Sequence, residues 1–286
     1  MTMNHNPIVP LSEIEVFAEG LDHPECVNLG PDGLVYVGGE AGQIYRVDIT
    51  TGAVTQYGTT GGFLLGVVVD GDGNVYSCDL AQKAVFRTTP DGTTTVYSSG
   101  TDDRPMICPN YAVFDSSGRL YVSDSGDWQK ANGCVWVIEP GGEAHVLTDD
   151  ITEHSNGLAL NHDESYLYCA ETLRAGVVRL PLMEGRQAGP VEVVLPLPET
   201  VLADGLAFDS EGSLIIACYT PDVIYKLDRA GRLSVLAQDP QRVVLASPTN
   251  VTFAGPELTT LVIGSLGRWH LSRLVVDVPG QPLRYP

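Results

Sequence analysis

Apolar residues in this chain come in short runs, each cut off by a turn of the Asp-Gly or Ser-Gly type. No stretch holds the periodicity of an amphipathic helix. One such pattern recurs along the whole length. Asn110-Tyr-Ala-Val-Phe-Asp115 leads through Ser-Ser-Gly into Leu120-Tyr-Val, and Asp204-Gly-Leu-Ala-Phe-Asp209 leads through Ser-Glu-Gly into Leu214-Ile-Ile. Units of the same shape begin at Glu25, Leu65, Asn156 and Asn250. The starts at 25, 65, 110, 156, 204 and 250 are separated by 40, 45, 46, 48 and 46 residues. Each unit reads as strand, tight turn, strand, which is a β-hairpin. A second hairpin follows in most units, as in Ala84–Arg87, the turn at Pro90-Asp91-Gly92, and Thr93–Tyr97. Four strands in a repeat of roughly 40–50 residues is the pattern of a propeller blade. The spacing therefore predicts an all-β chain: one six-bladed β-propeller with four-stranded antiparallel blades, spanning residues 1–286 as a single domain.

A ring of blades must close. The sixth unit supplies strands near Asn250–Phe253, Thr260–Gly264 and His270–Val276, then runs into the proline-rich stretch Pro279–Pro286 without a fourth. Ile14-Glu-Val-Phe-Ala18 precedes the first unit and resembles the outer strands of other units, such as Leu233–Ala237. The N-terminal strand is therefore expected to complete the last blade and remove an open sheet edge.

Composition narrows the partners. Hydrophobic residues make up 43% of 286, enough for a sizeable core, and 36 acids against 16 Lys and Arg give a formal charge of −20. That balance disfavours nucleic acid and anionic membranes and favours capture of cations. The N-terminal Met1–Pro10 lacks a secretory pattern, and no run of about 18 apolar residues suggests a membrane span. The six cysteines are scattered without a Cys-x-x-Cys pair, so buried free thiols in a reducing cytoplasm are expected, not a zinc or disulfide framework. A small molecule is the expected partner; oligomeric state is left open.

The chemistry lies in the register of the repeat. Each unit begins where its innermost strand enters the central channel. The six residues there are Glu25, Leu65, Asn110, Asn156, Asp204 and Asn250, five of which carry a side-chain oxygen. Two carboxylates brought to one axis repel unless a cation lies between them, and a hard divalent ion accepts carboxylate and amide oxygens. The competing reading makes Asn156-Gly and Asp204-Gly simple turn residues.

Asn156-Gly-Leu-Ala-Leu and Asp204-Gly-Leu-Ala-Phe-Asp, with Ala217-Cys-Tyr after the latter, resemble the senescence-marker-protein (regucalcin)/gluconolactonase family, related to the diisopropylfluorophosphatase-like propellers. The resemblance covers nearly the whole chain. It implies Glu25, Asn110, Asn156 and Asp204 as the ligands of one divalent metal ion. Calcium is the first choice for an oxygen shell, with zinc, magnesium or manganese as alternatives. It implies a metal-dependent hydrolase acting on a small ester, a lactone first, with Asp204 or a metal-bound hydroxide activating the water. One position departs from the family pattern: where sugar lactonases place an Arg two residues before the third-blade Asn, this chain has Cys108.

Strand alternation then places His23, Cys108, His154 and Leu202, each two residues before a ligand position, on the same side. His23 and His154 become alternative bases, since imidazole titrates near neutrality. The loops joining second and third strands return to this end. They bring Glu40, Asp79, Asp124–Trp128, Glu171–Arg174, Tyr219 and Arg268–His270 to the rim. Of these, Trp128, Arg174 and Tyr219 are candidate substrate contacts alongside Cys108 and Asn110. No Gly-x-Ser-x-Gly elbow occurs. The rival readings are a phosphotriesterase-like metal hydrolase, a non-catalytic metal- or ligand-binding propeller and, last, a strictosidine-synthase-like enzyme without the metal shell.

Overall fold

A computed structural model describes residues 6–286. The first five residues, included in the single-domain reading and in the reading of the N-terminal segment, lie outside it. Six antiparallel sheets follow one another in chain order. Five have four strands; the fourth blade adds a small hairpin, Arg186–Gln187, against the extended end of Gly176–Met183. This is the six-bladed β-propeller that the repeat predicts. Its innermost strands include Asn28–Leu29, Leu64–Val69, Pro109–Phe114, Ser155–Leu160, Leu202–Phe208 and Pro248–Ala254.

The recurring turn has a local cause. Three of the repeated hexapeptides end in a buried acid, Asp70, Asp115 or Asp209, which accepts the backbone N–H groups that follow it. Asp115 takes those of Ser117 and Arg119, both at 2.9 Å, and Asp209 takes those of Glu211 and Ser213 at 3.0 and 2.7 Å. Gly118 then occupies the left-handed position of its turn, φ +84°.

The blades are held together by six separate apolar cores, one between each adjacent pair. Between blades four and five, for example, Ala170, Leu195 and Val177 meet Leu206, Ile216 and Val223. The six cysteines are all buried and free. No helix among the described residues is long and apolar enough to cross a membrane.

Closure follows expectation. Glu15–Ala18 pairs antiparallel with Leu271–Val275, giving the sixth blade its fourth strand. The same segment extends further. Ile8 and Val9 donate to the carbonyls of Val235 and Leu236 on the outer strand of blade five, at 2.9 and 2.8 Å. Val9 and Ile14 join the core between blades five and six, and Ala18 the core between six and one.

The C-terminal stretch does something the sequence pattern did not announce. Pro279–Pro286 crosses the far end of the channel. Gln281 N–H donates to Phe208 O at 2.9 Å, Arg284 pairs with Glu164 at 2.8 Å, Tyr285 Oη donates to Leu29 O at 2.9 Å, and Gly71 N–H donates to Pro286 O at 3.1 Å. Blades one, two, four and five are tied by one strap. Against it lies a small cavity of about 70 Å³ lined by Gln281, Pro282, Leu283 and Arg284 together with Tyr111.

Deleting residues through Ala18 exposes the edge of Leu271–Val275 and removes Val9, Ile14 and Ala18 from two cores. At about 1.5–3 kcal/mol for each large aliphatic side chain, and about 2–4 °C per kcal/mol in a chain this size, the melting temperature should drop by roughly 10 °C or more. Thermal denaturation of the truncated protein checks this, and an unchanged midpoint would contradict the closure.

Candidate functional site

In blades two to six the ladder between first and second strands breaks at the ligand position. The register shifts at Leu64/Gly66, Pro109/Tyr111, Ser155/Leu158, Ala203/Leu206 and Pro248/Val251. Leu65, Asn110, Asn156, Asp204 and Asn250 each fall inside the break. A bulge releases a residue from the pleat and re-aims its side chain, so these five positions share one orientation toward the channel. In blade one Glu25 comes before the short strand Asn28–Leu29.

The bulges also press neighbouring blades together. A Cβ on Gly157 would stand 2.4 Å from Asp204 O, and one on Gly205 would stand 2.7 Å from Asn250 Cα. Only glycine permits this approach. The Gly after Asn156 and after Asp204 is therefore there for blade-to-blade contact, and the simple-turn reading of these pairs does not apply. Between blades six and one, Thr249 Oγ1 donates to Glu25 O at 2.6 Å.

Each amide is oriented by a hydroxyl. Asn110 Nδ2 donates to Ser125 Oγ at 3.0 Å, and Ser125 Oγ gives its one proton to Ser155 O at 2.7 Å. Asn156 Nδ2 donates to Thr172 Oγ1 at 3.2 Å, and Thr172 Oγ1 donates to Ala203 O at 2.8 Å. A hydroxyl whose proton is committed can only accept, so the NH₂ must face it and Oδ1 must face away. Neither Oδ1 has a protein hydrogen bond among the described residues. Asn250 differs: its Oδ1 accepts from Tyr111 Oη at 3.5 Å.

Asp204 senses Glu25. Burial, then Glu25, pushes the Asp204 carboxyl well above its usual range. Burial, then Glu40, pushes Glu25 up to about 7. Glu25 keeps a part-exposed edge, so the pair lies within the protein yet meets solvent at the channel mouth. Tyr219 stands beside both: its phenol is raised by burial, then by Asp204 and Glu25. No cluster of three or more His, Cys, Asp or Glu able to hold a metal occurs among the described residues; the set at this mouth is two acids and two amides.

Both histidines reach the mouth by another route than strand alternation. His23 and His154 lie outside the strands with left-handed backbones, φ 50° and 61°. His23 Nδ1 is 3.4 Å from Glu40, and His154 packs edge-to-face on Trp128 at 4.8 Å between centroids. The Nδ1 atoms of both are buried without a hydrogen-bond partner. Burial lowers the His154 pKa to about 4; it lowers that of His23 as well, against the pull of Glu40 and Asp22. Cys108 is a buried wall residue whose thiol burial, then Asp124, pushes up to about 12. Leu202 is half-buried at the start of its strand.

The rim divides in two. Asp79, Asp124 and Glu171 are buried and hold the loops that lead into the inner strands, so they do not face a ligand. Asp124 accepts Ile107 and Cys108 N–H at 2.9 and 2.7 Å, Glu171 accepts Thr152 and Glu153 N–H at 3.1 Å, and Asp79 accepts Phe63 N–H at 3.1 Å. His270 is likewise internal, 2.8 Å from Val244 O. Arg174 is half-exposed and pairs with Glu171 at 2.9 Å. Trp128 and Tyr219 remain open at the mouth.

Residues 24–267 match the family model described as SMP-30/Gluconolactonase/LRE-like region. The chain belongs to this family. A 6-deoxy-6-sulfogluconolactonase from Pseudomonas putida is 27% identical over 269 residues, covering 84% of this chain and 86% of that protein. Among solved structures, the calcium-binding protein regucalcin from Agrobacterium tumefaciens superposes with a TM-score of 0.81 at 18% identity, covering 98% of this chain and 99% of that one. A gluconolactonase from Xanthomonas campestris gives 0.79 at 19%, covering 93% and 89%. At these identities the two structures speak to the fold that this SMP-30/gluconolactonase family member shares with them.

Two hydroxyls were missed by sequence reasoning, although a signal for them exists. Ser125 and Thr172 directly follow the buried acids of blades three and four, 15 and 16 residues after the Asn they orient. Blade two has Leu80 at that place and Leu65 in place of the Asn.

The raised acids give the metal-free protein a defined pH response. Glu25 and Asp204 hold protons more tightly folded than unfolded. Their contribution is complete below the unfolded carboxylate range, near pH 4, and is lost as pH rises, for Glu25 through about 7 and for Asp204 in the same direction. His154 acts oppositely: folding resists its protonation, so stability falls as pH drops from the ordinary imidazole range toward 4. In chelator, wild-type melting temperature should decline between about pH 5 and 8 more steeply than that of Asp204→Asn. Parallel curves would refute the coupling.

Proposed function

We propose that this chain is a divalent-metal-dependent hydrolase of a small ester, a lactone first. The observation that carries the reading is the meeting of two raised carboxylates, Glu25 and Asp204, with two amides whose NH₂ groups are turned away, at the open end of a channel in a gluconolactonase-family chain. The residues fit a hard cation. Two acids balance its charge, and the Oδ1 atoms of Asn110 and Asn156 add oxygen without further charge. Calcium suits this set best; zinc, magnesium and manganese are alternatives. Bound there, such an ion polarises the ester carbonyl and offsets the charge that develops on its oxygen.

The chain's own groups supply the rest. Hydrolysis adds water across the acyl C–O bond, giving a hydroxy acid, and a base must take one proton from that water. Asp204 is one candidate, as in the family pattern. Between the histidines, geometry favours His23: Glu40 at 3.4 Å stabilises the imidazolium that forms on proton uptake. His154 has no acid partner and is walled by Trp128. Ser125 and Thr172 hold the amides against rotation, and Tyr219 borders the two acids. The strap lies across the far end, opposite this mouth. The phosphotriesterase-like and non-catalytic readings use the same site, and substrate assays separate them.

A panel of lactones, aryl esters and organophosphates, assayed with and without chelator, tests the reading. Lactone turnover should be highest and vanish in chelator. Glu25→Gln and Asp204→Asn should stay folded yet lose metal and activity, while Asn250→Ala keeps its metal, since Asn250 faces Tyr111. Full metal occupancy in both carboxylate variants would sink the proposal. His23→Gln should cut kcat by roughly 10²-fold with metal retained, and His154→Gln by less than about tenfold. Unchanged kcat in both assigns the proton to Asp204.

A further inference from the structure

The mouth of the channel is lined by more than the candidate ligands. Eight large hydrophobic side chains are exposed among the described residues, and the two aromatic ones are Trp128 and Trp269, 53% and 49% exposed. Trp128 lies in the loop between the second and third strands of blade three, and Trp269 in the corresponding loop of blade six. In a ring of six, blades three and six are opposite, so the indoles sit on opposite sides of the ring at this end. Each adjoins a histidine of the site: Trp128 meets His154 at 4.8 Å, and Trp269 lies 6.3 Å from His23, whose other flank is Phe63 at 5.5 Å. Among the described residues neither indole N–H has a protein acceptor, whereas the buried Trp136 donates to Asp124 at 3.2 Å. Two exposed indoles over a polar site form apolar walls around a polar point, which is the usual anatomy of a small-molecule pocket.

Charge at this end argues the same way. The loops here carry Lys83, Arg104, Lys130, Arg174, Arg242 and Arg268. Four of them are engaged, with Asp149, Asp127, Glu171 and Asp222 respectively for Arg104, Lys130, Arg174 and Arg242. Lys83 and Arg268 are left, both exposed. Two residues before Asn110 the wall is the uncharged, buried Cys108. Exposed Glu40 adds negative charge, while Asp127 is taken up by Lys130. An anionic substituent finds here only the exposed Lys83 and Arg268 as unpaired cations, and the rings offer a polyhydroxylated one a single N–H each.

We propose that the substrate is a neutral lactone bearing an apolar alkyl substituent, which lies between Trp128 and Trp269 while the ring carbonyl points to the acid–amide set. This names the substrate class of the lactonase reading and rests on it. The test is kcat/KM for γ-lactones of increasing alkyl length, with glucono-δ-lactone and a carboxylated γ-lactone as polar and anionic comparisons. Wild type should gain roughly twofold to fourfold per methylene and turn over both comparisons at least tenfold more slowly than the longest alkyl lactone. Trp128→Ala and Trp269→Ala should each flatten the slope. Turnover independent of chain length, or preference for either comparison, overturns the substrate class and leaves the lactonase reading standing. Turnover of no lactone overturns the lactonase reading. Calorimetric binding of non-hydrolysable 2-alkylcyclopentanones then decides the apolar mouth by itself. Affinity that grows with chain length in wild type and not in the Trp variants supports it, and flat affinity overturns it.

Discussion

Two carboxylates held near each other in a partly dry channel are a liability, and the site is organised around that fact. Left alone, Glu25 and Asp204 keep protons to a higher pH than free acids do, because burial disfavours their charge and Glu25 adds its own field at Asp204. A divalent cation removes the conflict. The amides of Asn110 and Asn156 fit the same proposal, since their oxygens would complete a shell without adding charge.

The fold supplies this arrangement through its inner strands. A break in the ladder frees one residue per blade, and glycine contacts at positions 157 and 205 bring adjacent strands to within contact of backbone. Hydroxyls one residue beyond the second-strand acids then fix the amides. The far end of the ring is crossed by the C-terminal strap, which ties four blades, and the six interblade cores hold the circle together. At the other end lie the acids, the two histidines and the two indoles.

Much of this was legible in the chain. A register that places Glu25, Asn110, Asn156 and Asp204 at one repeat position is a statement about one axis, because blades of equal length put equal positions at equal depth. The fourth strand from Glu15–Ala18 could be read because the last unit was one strand short. Other features were not legible. The rim acids Asp79, Asp124 and Glu171 look like ligand-facing groups in sequence, but they are consumed by backbone N–H groups of their own loops, and only geometry shows that. His23 and His154 were placed by alternation, yet their left-handed backbones mean that the loops position them. The proline-rich end carried no strand pattern, so its path across the channel had no periodic signal.

The most direct test of the central claim is calorimetric titration of chelator-treated protein with calcium, near pH 6, in two buffers of different ionisation enthalpy. Binding displaces protons from any acid that becomes a ligand. The account predicts one ion per chain and release of at least about one proton, shrinking toward zero as the pH is raised past the range in which Glu25 and Asp204 titrate. Saturable binding without proton release, or no saturable binding of any divalent ion, would contradict it.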